Sequence, residues 1–343
     1  MNQSFEYFAM AWSNPDLFLL TAAGTFAGIY IGAIPGLSVT MAVSILISFT
    51  FSWEVNEALA LMAGVFLGGV YGGSRTAILL NIPGAPSALV TALDGYPLAR
   101  KGKAGQAIGL STIMSFIGGL LGISVLMVAA PIISNFTLAF APRDYFLLAV
   151  LGLLLVGSLA ADSFSKGVFC GALGVLLATV GLDPLTAEER FTFDALELMN
   201  GIPYVAAMIG FFGFAEILVQ LEHLDVKQVR QELDKILPSL DKIKKHLPLS
   251  VRTSMIGVFV GALPGTGGDI ASLLAYDHAK RSVKNPSADF GDGAEEGLIA
   301  AETANNAAVG GAYIPMLTLG IPGDAVTAVI IGALLSMVCS RGH

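Results

Sequence analysis

The amino-acid sequence predicts an all-α, polytopic membrane helix bundle with two internal repeats of inverted topology that contain broken or re-entrant helices. Three observations carry this prediction: an excess of apolar residues, long windows without charge, and a repeated motif with Pro-Gly pairs. Of the 343 residues, 55% are hydrophobic and 13% are charged, whereas soluble domains carry about 25% charged residues. A water-facing surface cannot be built from so few charges, and the sequence therefore excludes a soluble enzyme.

The charge-free windows are long enough to cross a bilayer, which takes about 20 apolar residues. Windows without Asp, Glu, Lys or Arg occupy 17–53, 58–74, 104–142, 145–161, 198–215 and 303–323. Slightly more polar segments at 167–181, 254–275 and 325–338 also have the composition of spans. Together they predict roughly nine to eleven membrane segments, with the longest windows broken or paired.

A stretch dense in charge divides the chain into two unequal parts. Residues 222–250 are predicted to form a polar cytoplasmic linker between a first membrane repeat at 1–221 and the start of a second, incomplete repeat at 251–343. Basic residues cluster at 100–103, at 227–252 and at 280–284. The positive-inside rule places all three clusters on the cytoplasmic side.

The repeat breaks helices at matching places. The segment GIYIGAIPGLSVTMA (28–42) aligns without gaps with GVFVGALPGTGGDIA (257–271), and NIPGA (81–85) aligns with GIPGD (320–324). Proline removes an amide donor and glycine frees the backbone, so each Pro-Gly pair interrupts a helix within apolar sequence. Unpaired backbone at membrane depth must be buried in protein or line a wet cavity. The alternative is that these pairs only kink or end packed helices. The predicted helix breaks are Pro35, Pro83, Pro264 and Pro322.

Charge in the loops indicates that the two repeats are inverted. The loop 52–57 has no Lys or Arg, whereas its counterpart at 276–292 contains three. Equivalent loops are therefore expected on opposite sides of the membrane. The first break of each half is then expected to fold as a re-entrant hairpin.

Polar residues near the second break of the first half are candidates for ligand contacts, because polar groups at membrane depth are costly and usually functional. Arg75 lies within apolar sequence, and a guanidinium can hold a carboxylate with two parallel hydrogen bonds. Alternatively, Arg75 reaches an interface or pairs with a structural carboxylate. Ser74, Thr76 and Asn81 lie close to it in the chain.

The second half places Glu302, Asn305 and Asn306 at i, i+3 and i+4, on one helical face. Their oxygens suit Na⁺, a proton relay or a hydroxylated substrate, or they form hydrogen bonds between helices. Asp269 is a candidate ligand of a coupling ion or the N-cap of a half-helix. The predicted coupling-ion ligands are Asp269 and Glu302. The predicted substrate contacts are Gly36, Ser38, Ser74, Arg75, Thr76, Asn81, Gly84, Gly265, Thr266, Gly267, Asn305, Asn306 and Gly323.

Other chemistries find little support. The sequence contains no GxxxxGK[ST] motif for nucleotide phosphates, and its four histidines lie apart. The segment TGGD at 266–269 is similar to a motif of intramembrane aspartyl proteases, but Thr266 stands where that motif has glycine. No catalytic residue, no cofactor and no metal ion other than possible Na⁺ is therefore expected.

The long motifs together resemble one family. YGGSRTAILLNIPG (71–84), TALDGYPLARKGKAGQAIG (91–109), GALPGTGGDIASLLAYDHAKR (261–281) and FGDGAEEGLIAAETANNAAVGGAYIPMLTLGIPG (290–323) are similar to the large membrane subunit, TctA, of tripartite tricarboxylate transporters. The resemblance implies a secondary transporter of the bacterial inner membrane that imports citrate-like carboxylates. It implies a Na⁺ or H⁺ gradient as the driving force. It also implies two partners: a small membrane subunit (TctB-like) and a periplasmic solute-binding protein (TctC-like).

The chain departs from the family pattern in two respects. Arg75 stands where the family has a small hydroxyl residue, and Ala85 stands where an acidic residue often follows the NxPG motif. Members of the family are also longer, so the chain is expected to be a C-terminally truncated member. A non-transporting membrane scaffold, a channel or an inactive fragment of the transporter are the alternatives.

Overall fold

The computed structural model describes residues 13–34, 37–137, 164–183, 188–199 and 235–341, with further positions at 141, 143–144, 146–147, 150, 201–202 and 218. The described chain is mostly helical, which confirms the predicted all-α class, and its one β-ladder is a two-residue pairing of β1 (Gly181–Leu182) with β2 (Glu189–Arg190). The α-helices are α1 (Pro15–Ala33), α2 (Val39–Thr50), α3 (Val55–Leu80), α4 (Ala88–Leu98), α5 (Ala104–Thr137), α6 (Phe164–Ala178), α7 (Leu240–Gly261), α8 (Gly267–Ser282), α9 (Glu295–Leu319) and α10 (Ala325–Arg341).

Several of these helices have the length and composition of membrane spans. Within the described residues, α1, α3 and the stretch Ala88–Asn135 are long and apolar enough to cross a bilayer. Shorter apolar helices are α2, the segment Ser165–Ala178 and the segment Ala325–Met337. The predicted spans at 145–161 and 198–215, and the linker residues before 235, lie largely outside the described residues.

Glycine faces bring α1 and α3 into backbone contact. Gly28 packs on Val65 and Gly32 on Gly69, and at both places an added Cβ would collide with the facing carbonyl oxygen. Because the residue numbers rise together, α1 and α3 run in the same direction, and α2 returns between them. The end of α1 lies level with Gly69, near the middle of α3, so α1 ends within the depth of the bundle.

The second half repeats this packing in α7, α8 and α9. Gly257 packs on Ala304 and Gly261 on Ala308, again so closely that a Cβ would collide with the facing carbonyl oxygen. α7 and α9 therefore run in the same direction, and α8 returns between them. In the repeat alignment Gly257 is equivalent to Gly28, and the aligned second motifs make Ala304 equivalent to Val65. The two helix triplets thus share the same contacts.

The second breaks also occupy equivalent places. Gly84 packs against Gly32 at the end of α1 and against Gly73 of α3, and Gly323 packs against the corresponding positions at the end of α7 and in α9. α3 ends at Asn81 and α9 at Gly320, both in the left-handed conformation, with φ of 58° and 68°. This conformation directs the chain sharply away from each long helix.

The two long helices, α3 and α9, run in opposite directions. Ser74 Oγ donates a hydrogen bond to Glu302, and the ring of Phe66 lies 6.2 Å from that of Tyr313. As the residue number increases from 66 to 74 along α3, the number of the contacting residue on α9 decreases from 313 to 302. Between the halves, α2 packs on α10 and α4 packs on α8. The alignment makes α2 equivalent to α8 and α4 equivalent to α10, so these two contacts are equivalent.

A carboxylate in the first half holds a loop of the second. Asp94 Oδ1 in α4 accepts hydrogen bonds from the backbone amides of Gly291, Gly293 and Ala294, at 2.9, 2.9 and 2.8 Å. Two quoted motifs nearly 200 residues apart in the chain are thereby joined immediately before α9.

α9 is the central helix, and it is buried from Glu295 to Met316. α3, α4, α5, α7 and α8 surround it. α7 begins at Leu240, inside the stretch predicted as a linker, and continues through Pro248 without a break. The boundaries at 222 and 251 remain predictions.

Candidate functional site

Segments next to all four Pro-Gly pairs line a single cavity of about 250 Å³. This volume is close to the lower end of the range for small-molecule pockets, about 300–1,000 Å³. The cavity lies between the two halves. Its lining residues are Ser38, Val39, Thr40, Phe66, Val70, Ala85, Pro86, Ser87, Gly265, Thr266, Gly267, Gly268, Asp269, Asn305, Val309, Asp324, Ala325 and Val326.

Four helices begin at this cavity: α2, α4, α8 and α10. The N-terminus of a helix presents backbone amides without intrahelical partners and a partial positive charge. Thr266, the N-cap of α8, makes no side-chain capping bond to its own helix. Instead, its hydroxyl donates to the carbonyl oxygens of Val260 and Leu263. Four N-termini around one cavity make an environment that favours an anion.

All of the lining residues except Gly265 and Thr266 pair with another lining residue in the repeat alignment. Ser38, Val39 and Thr40 correspond to Gly267, Gly268 and Asp269. Phe66 and Val70 correspond to Asn305 and Val309, and Ala85, Pro86 and Ser87 correspond to Asp324, Ala325 and Val326. Aligned segments of both halves therefore line the cavity, but among its described lining residues the carboxylates and the amide side chain come from the second half alone.

Asn305 is the amide side chain of this cavity. It is 1% exposed, and its Nδ2 has no hydrogen-bond partner among the described residues. Its Oδ1 lies against Gly268, so closely that a Cβ there would collide with it. A buried donor without a partner is costly, and a ligand oxygen in the cavity would satisfy it.

Two carboxylates line the same cavity. Asp269, near the start of α8, is exposed to the cavity and accepts a hydrogen bond from the backbone amide of Ser87. Asp324 Oδ1 accepts hydrogen bonds from the amide and the hydroxyl of Thr327, at 2.8 and 2.7 Å, and thereby caps α10. The charges of Asp269 and Asp324 interact unfavourably. No Lys, Arg or His is present among the described lining residues.

Glu302 lies outside this cavity, in a cage of hydroxyl groups. Its Oε1 accepts hydrogen bonds from Ser74 at 2.6 Å and Thr91 at 2.5 Å. Its Oε2 accepts from Ser111 at 2.7 Å and Ser115 at 2.8 Å. The side chain is fully buried. Four donors satisfy both carboxylate oxygens, so Glu302 joins α3, α4 and α5 to α9.

Arg75 also lies outside the cavity, on the side of α3 that faces α5. Its guanidinium donates to the hydroxyls of Tyr71, Ser111 and Thr112 and to the Ile108 carbonyl oxygen. It also stacks on the Tyr71 ring, 4.0 Å from the centroid. Because Ser111 binds both groups, it connects Arg75 to Glu302. The arrangement agrees with the alternative that Arg75 pairs with a structural carboxylate. The pairing with Glu302 is indirect, because the hydroxyl of Ser111 lies between the two groups.

The other predicted residues divide between the cavity and the packing around it. Ser38, Gly265, Thr266, Gly267, Asp269 and Asn305 line the cavity. The remaining described ones support the helices: Ser74 binds Glu302, Thr76 donates to the Gly73 carbonyl, Asn81 ends α3, Gly84 and Gly323 pack at helix ends, and Asn306 donates to the Glu302 carbonyl. Pro83, Pro264 and Pro322 lie in the turns that precede α4, α8 and α10. Pro35 and Gly36 lie outside the described residues.

Sequence reasoning missed Asp324, Thr40 and Ser87 as lining residues. The signal for them was present, since the aligned NIPGA and GIPGD place Asp324 directly after the second Pro-Gly pair. Thr40 is the alignment partner of Asp269. Because Asp269 was a candidate ligand next to one break, its aligned residue Thr40 could also have been considered as a lining residue.

Comparisons with known proteins agree with the motifs. Residues 18–343 match the family model described as the tripartite tricarboxylate transporter TctA family. An uncharacterized 52.8 kDa protein in the TAR-I ttuC' 3'region of Agrobacterium vitis is 40% identical over 313 residues, which are 91% of this chain and 62% of that protein. An uncharacterized protein in the TAR-II ttuC' 3'region of the same organism is 49% identical over 79 residues, 23% of this chain and 32% of that protein.

No solved structure matches the chain. The chain spans less than two thirds of the length of either relative. The family match covers nearly the whole of the sequence, including every motif that lines the cavity. The chain belongs to the tripartite tricarboxylate transporter TctA family.

Proposed function

We propose that the chain is the large membrane subunit of a secondary transporter that imports a small carboxylate, such as a tricarboxylate like citrate, across the bacterial inner membrane. A Na⁺ or H⁺ gradient drives the import, and a periplasmic solute-binding protein and a small membrane subunit assist it. Membership of the TctA family supports the assignment, since that family is part of tripartite transporters and implies partner subunits.

The observation that carries the proposal is the meeting of the four broken segments at one cavity. Half-helices whose N-termini point at a central site are the usual way for a transporter to hold an anionic group within the membrane. The buried Nδ2 of Asn305 adds a side-chain donor to the backbone amides. A carboxylate fits this set of donors.

We further propose that the two halves are inverted repeats with re-entrant hairpins. Equivalent glycine contacts in α1–α3 and α7–α9 support the duplication. The opposite directions of α3 and α9 support the inversion, because equivalent helices of parallel repeats would run the same way. The end of α1 lies level with the middle of α3, and the end of α7 lies level with the middle of α9, as a re-entrant turn after each helix would require.

Exchange of Asn305 for alanine tests the substrate site. Citrate binding to the chain in lipid nanodiscs, measured by calorimetry, is expected to weaken about tenfold or more in Asn305→Ala, because a donor to a charged group contributes about 1.5–3 kcal/mol. The matched control is Asn306→Ala, the adjacent amide, which does not line the cavity. Its binding should stay close to that of the unaltered chain. Equal affinities in the two variants would disprove this placement of the substrate.

A further inference from the structure

The cavity combines two features that oppose each other electrostatically. Four helix N-termini and the Asn305 amide attract an anion, yet Asp269 and Asp324 present carboxylates to the same space of about 250 Å³. A second anion placed in so small a cavity would lie close to both carboxylates. Like charges in a site shielded from water repel strongly. A carboxylate substrate therefore needs something to neutralise this pair.

No basic side chain among the described lining residues can supply that neutralisation. Arg75, the nearest candidate from the sequence, is held on the other side of α3 by hydroxyls and by the Tyr71 ring. The neutralising charge must then come from solution. Carboxylate oxygens beside interrupted backbone are the ligands that transporters use for Na⁺ or H⁺.

Resting on the proposed function, we propose that Asp269 and Asp324 together form the coupling site, where one small monovalent cation binds with the substrate anion and is required for its binding. Asp324 Oδ1 is held by Thr327 as the cap of α10. Asp269 is held by the Ser87 amide at the start of α4. Both carboxylates belong to the second half, and the bond from Ser87 to Asp269 connects the pair to the first half.

The surroundings of the pair are otherwise uncharged in the described residues. Tyr313 of α9 is the titratable side chain beside Asp324, and its buried hydroxyl has no hydrogen-bond partner among the described residues. Glu302 is not part of the coupling site, because four hydroxyl donors satisfy it outside the cavity. The first half has no carboxylate at the equivalent positions, which are Thr40 and Ala85.

The test measures citrate binding to the chain in lipid nanodiscs, with Na⁺ or choline as the cation, at neutral and at lower pH. For the unaltered chain, adding Na⁺ or lowering the pH is expected to strengthen citrate binding about tenfold or more, within the usual range of coupling between sites. A response to Na⁺ at fixed pH identifies Na⁺ as the cation, and a response to pH in choline identifies the proton.

Asp269→Asn and Asp324→Asn remove one charge each, and the double variant removes both. Asparagine is as good an N-cap as aspartate, so the cap of α10 is retained. The double variant is expected to bind citrate without either cation, with at most about twofold dependence on Na⁺ or pH. The matched control is Asp277→Asn, on the same helix α8, where the exposed carboxylate pairs with Arg281. Its cation dependence should equal that of the unaltered chain.

The outcomes separate the two proposals. Failure of the unaltered chain to bind citrate under any condition contradicts the proposed function itself. Citrate binding that is independent of cations in the unaltered chain, or that stays cation-dependent in the double variant, overturns the coupling site and leaves the substrate site standing. Loss of the dependence in the double variant, with Asp277→Asn unchanged, supports the coupling site.

Discussion

A buried carboxyl group in a membrane bundle can have both of its oxygens satisfied by hydroxyl donors, as Glu302 shows. Four serine or threonine hydroxyls donate to its two oxygens, and Arg75 shares one of them. Isolated charges at membrane depth are costly and are normally paired or hydrogen-bonded. The cage therefore serves to fix α9 against α3, α4 and α5.

Removing one hydroxyl of the cage tests its contribution to stability. Ser115→Ala removes one of the two hydrogen bonds to Oε2 of Glu302 and leaves Ser111 as its donor. The loss of one hydrogen bond to a buried carboxyl group is expected to lower the free energy of unfolding by about 1–2 kcal/mol. Thermal unfolding in detergent measures this change. The control is Ser124→Ala on the same helix, whose hydroxyl donates to the Leu120 carbonyl and not to another helix. Equal losses in both variants would show that the cage adds nothing.

The sequence predicted one polar face for Glu302, Asn305 and Asn306, but the structure directs them to different neighbours. Consecutive residues of an α-helix point about 100° apart. On a helix with one buried face, side chains that point in slightly different directions still meet the same neighbour. α9 is enclosed on all sides, so each direction meets a different helix. Asn305 therefore reaches the cavity, and Asn306 bonds back to its own helix. Helical spacing alone cannot say which neighbour each direction meets.

At the scale of the element, glycine sets how closely the parallel helices approach. An alanine methyl at Gly28 would collide with the Val65 carbonyl oxygen of α3. Gly28→Ala is therefore expected to lower the free energy of unfolding by about 1–3 kcal/mol, as overpacking usually does. The control is Gly119→Ala on α5, where the nearest atom would lie 4.0 Å away, at the Leu67 Cδ2. Thermal unfolding that is equally affected in both would contradict this packing.

Pro83-Gly84, Pro264-Gly265 and Pro322-Gly323 were predictable as helix breaks, because each pair both removes an amide donor and frees the backbone. A proline without a following glycine, Pro248, leaves α7 continuous. The convergence of the pairs was only a hypothesis from the repeat, since no local signal states which distant segment a break will face. The prediction of membrane spans from composition was limited for a similar reason. α9 carries Glu295, Glu296 and Glu302 and is not among the helices with span-like composition, because its surroundings are protein and not lipid.

For the whole molecule, inverted repeats place equivalent loops on opposite sides of the membrane. The α2–α3 loop contains the exposed Ser52, and the α8–α9 loop contains the exposed Lys284. In a chain with Cys170 and Cys339 replaced by serine, we expect an impermeant thiol reagent to label Ser52→Cys from outside the cell. Lys284→Cys should react only after the membrane is opened. Labelling of both from the same side would contradict the inversion.

The repeated motifs indicated segments that line the cavity, although several of the individual residues predicted as contacts lie outside it. Alignment of the halves is a property of the backbone, and it correctly paired the segments that line the cavity. Polar side chains at the equivalent positions differ between the halves, as Phe66 and Asn305 do. Which half provides the polar side chains of the cavity depends on these individual residues, and it cannot be predicted from the repeat alone.

The binding of the substrate in this cavity is tested most directly by whether citrate protects a cavity residue from chemical modification. Thr40 lines the cavity, and it is the position of the first half that aligns with Asp269. In the same background without Cys170 and Cys339, the rate at which a small maleimide modifies Thr40→Cys is measured with and without citrate, with Ser52→Cys as the control. We predict that citrate slows modification of Thr40→Cys several-fold and leaves modification of Ser52→Cys unchanged. Modification of Thr40→Cys at the same rate, under conditions where calorimetry shows citrate bound, would contradict it.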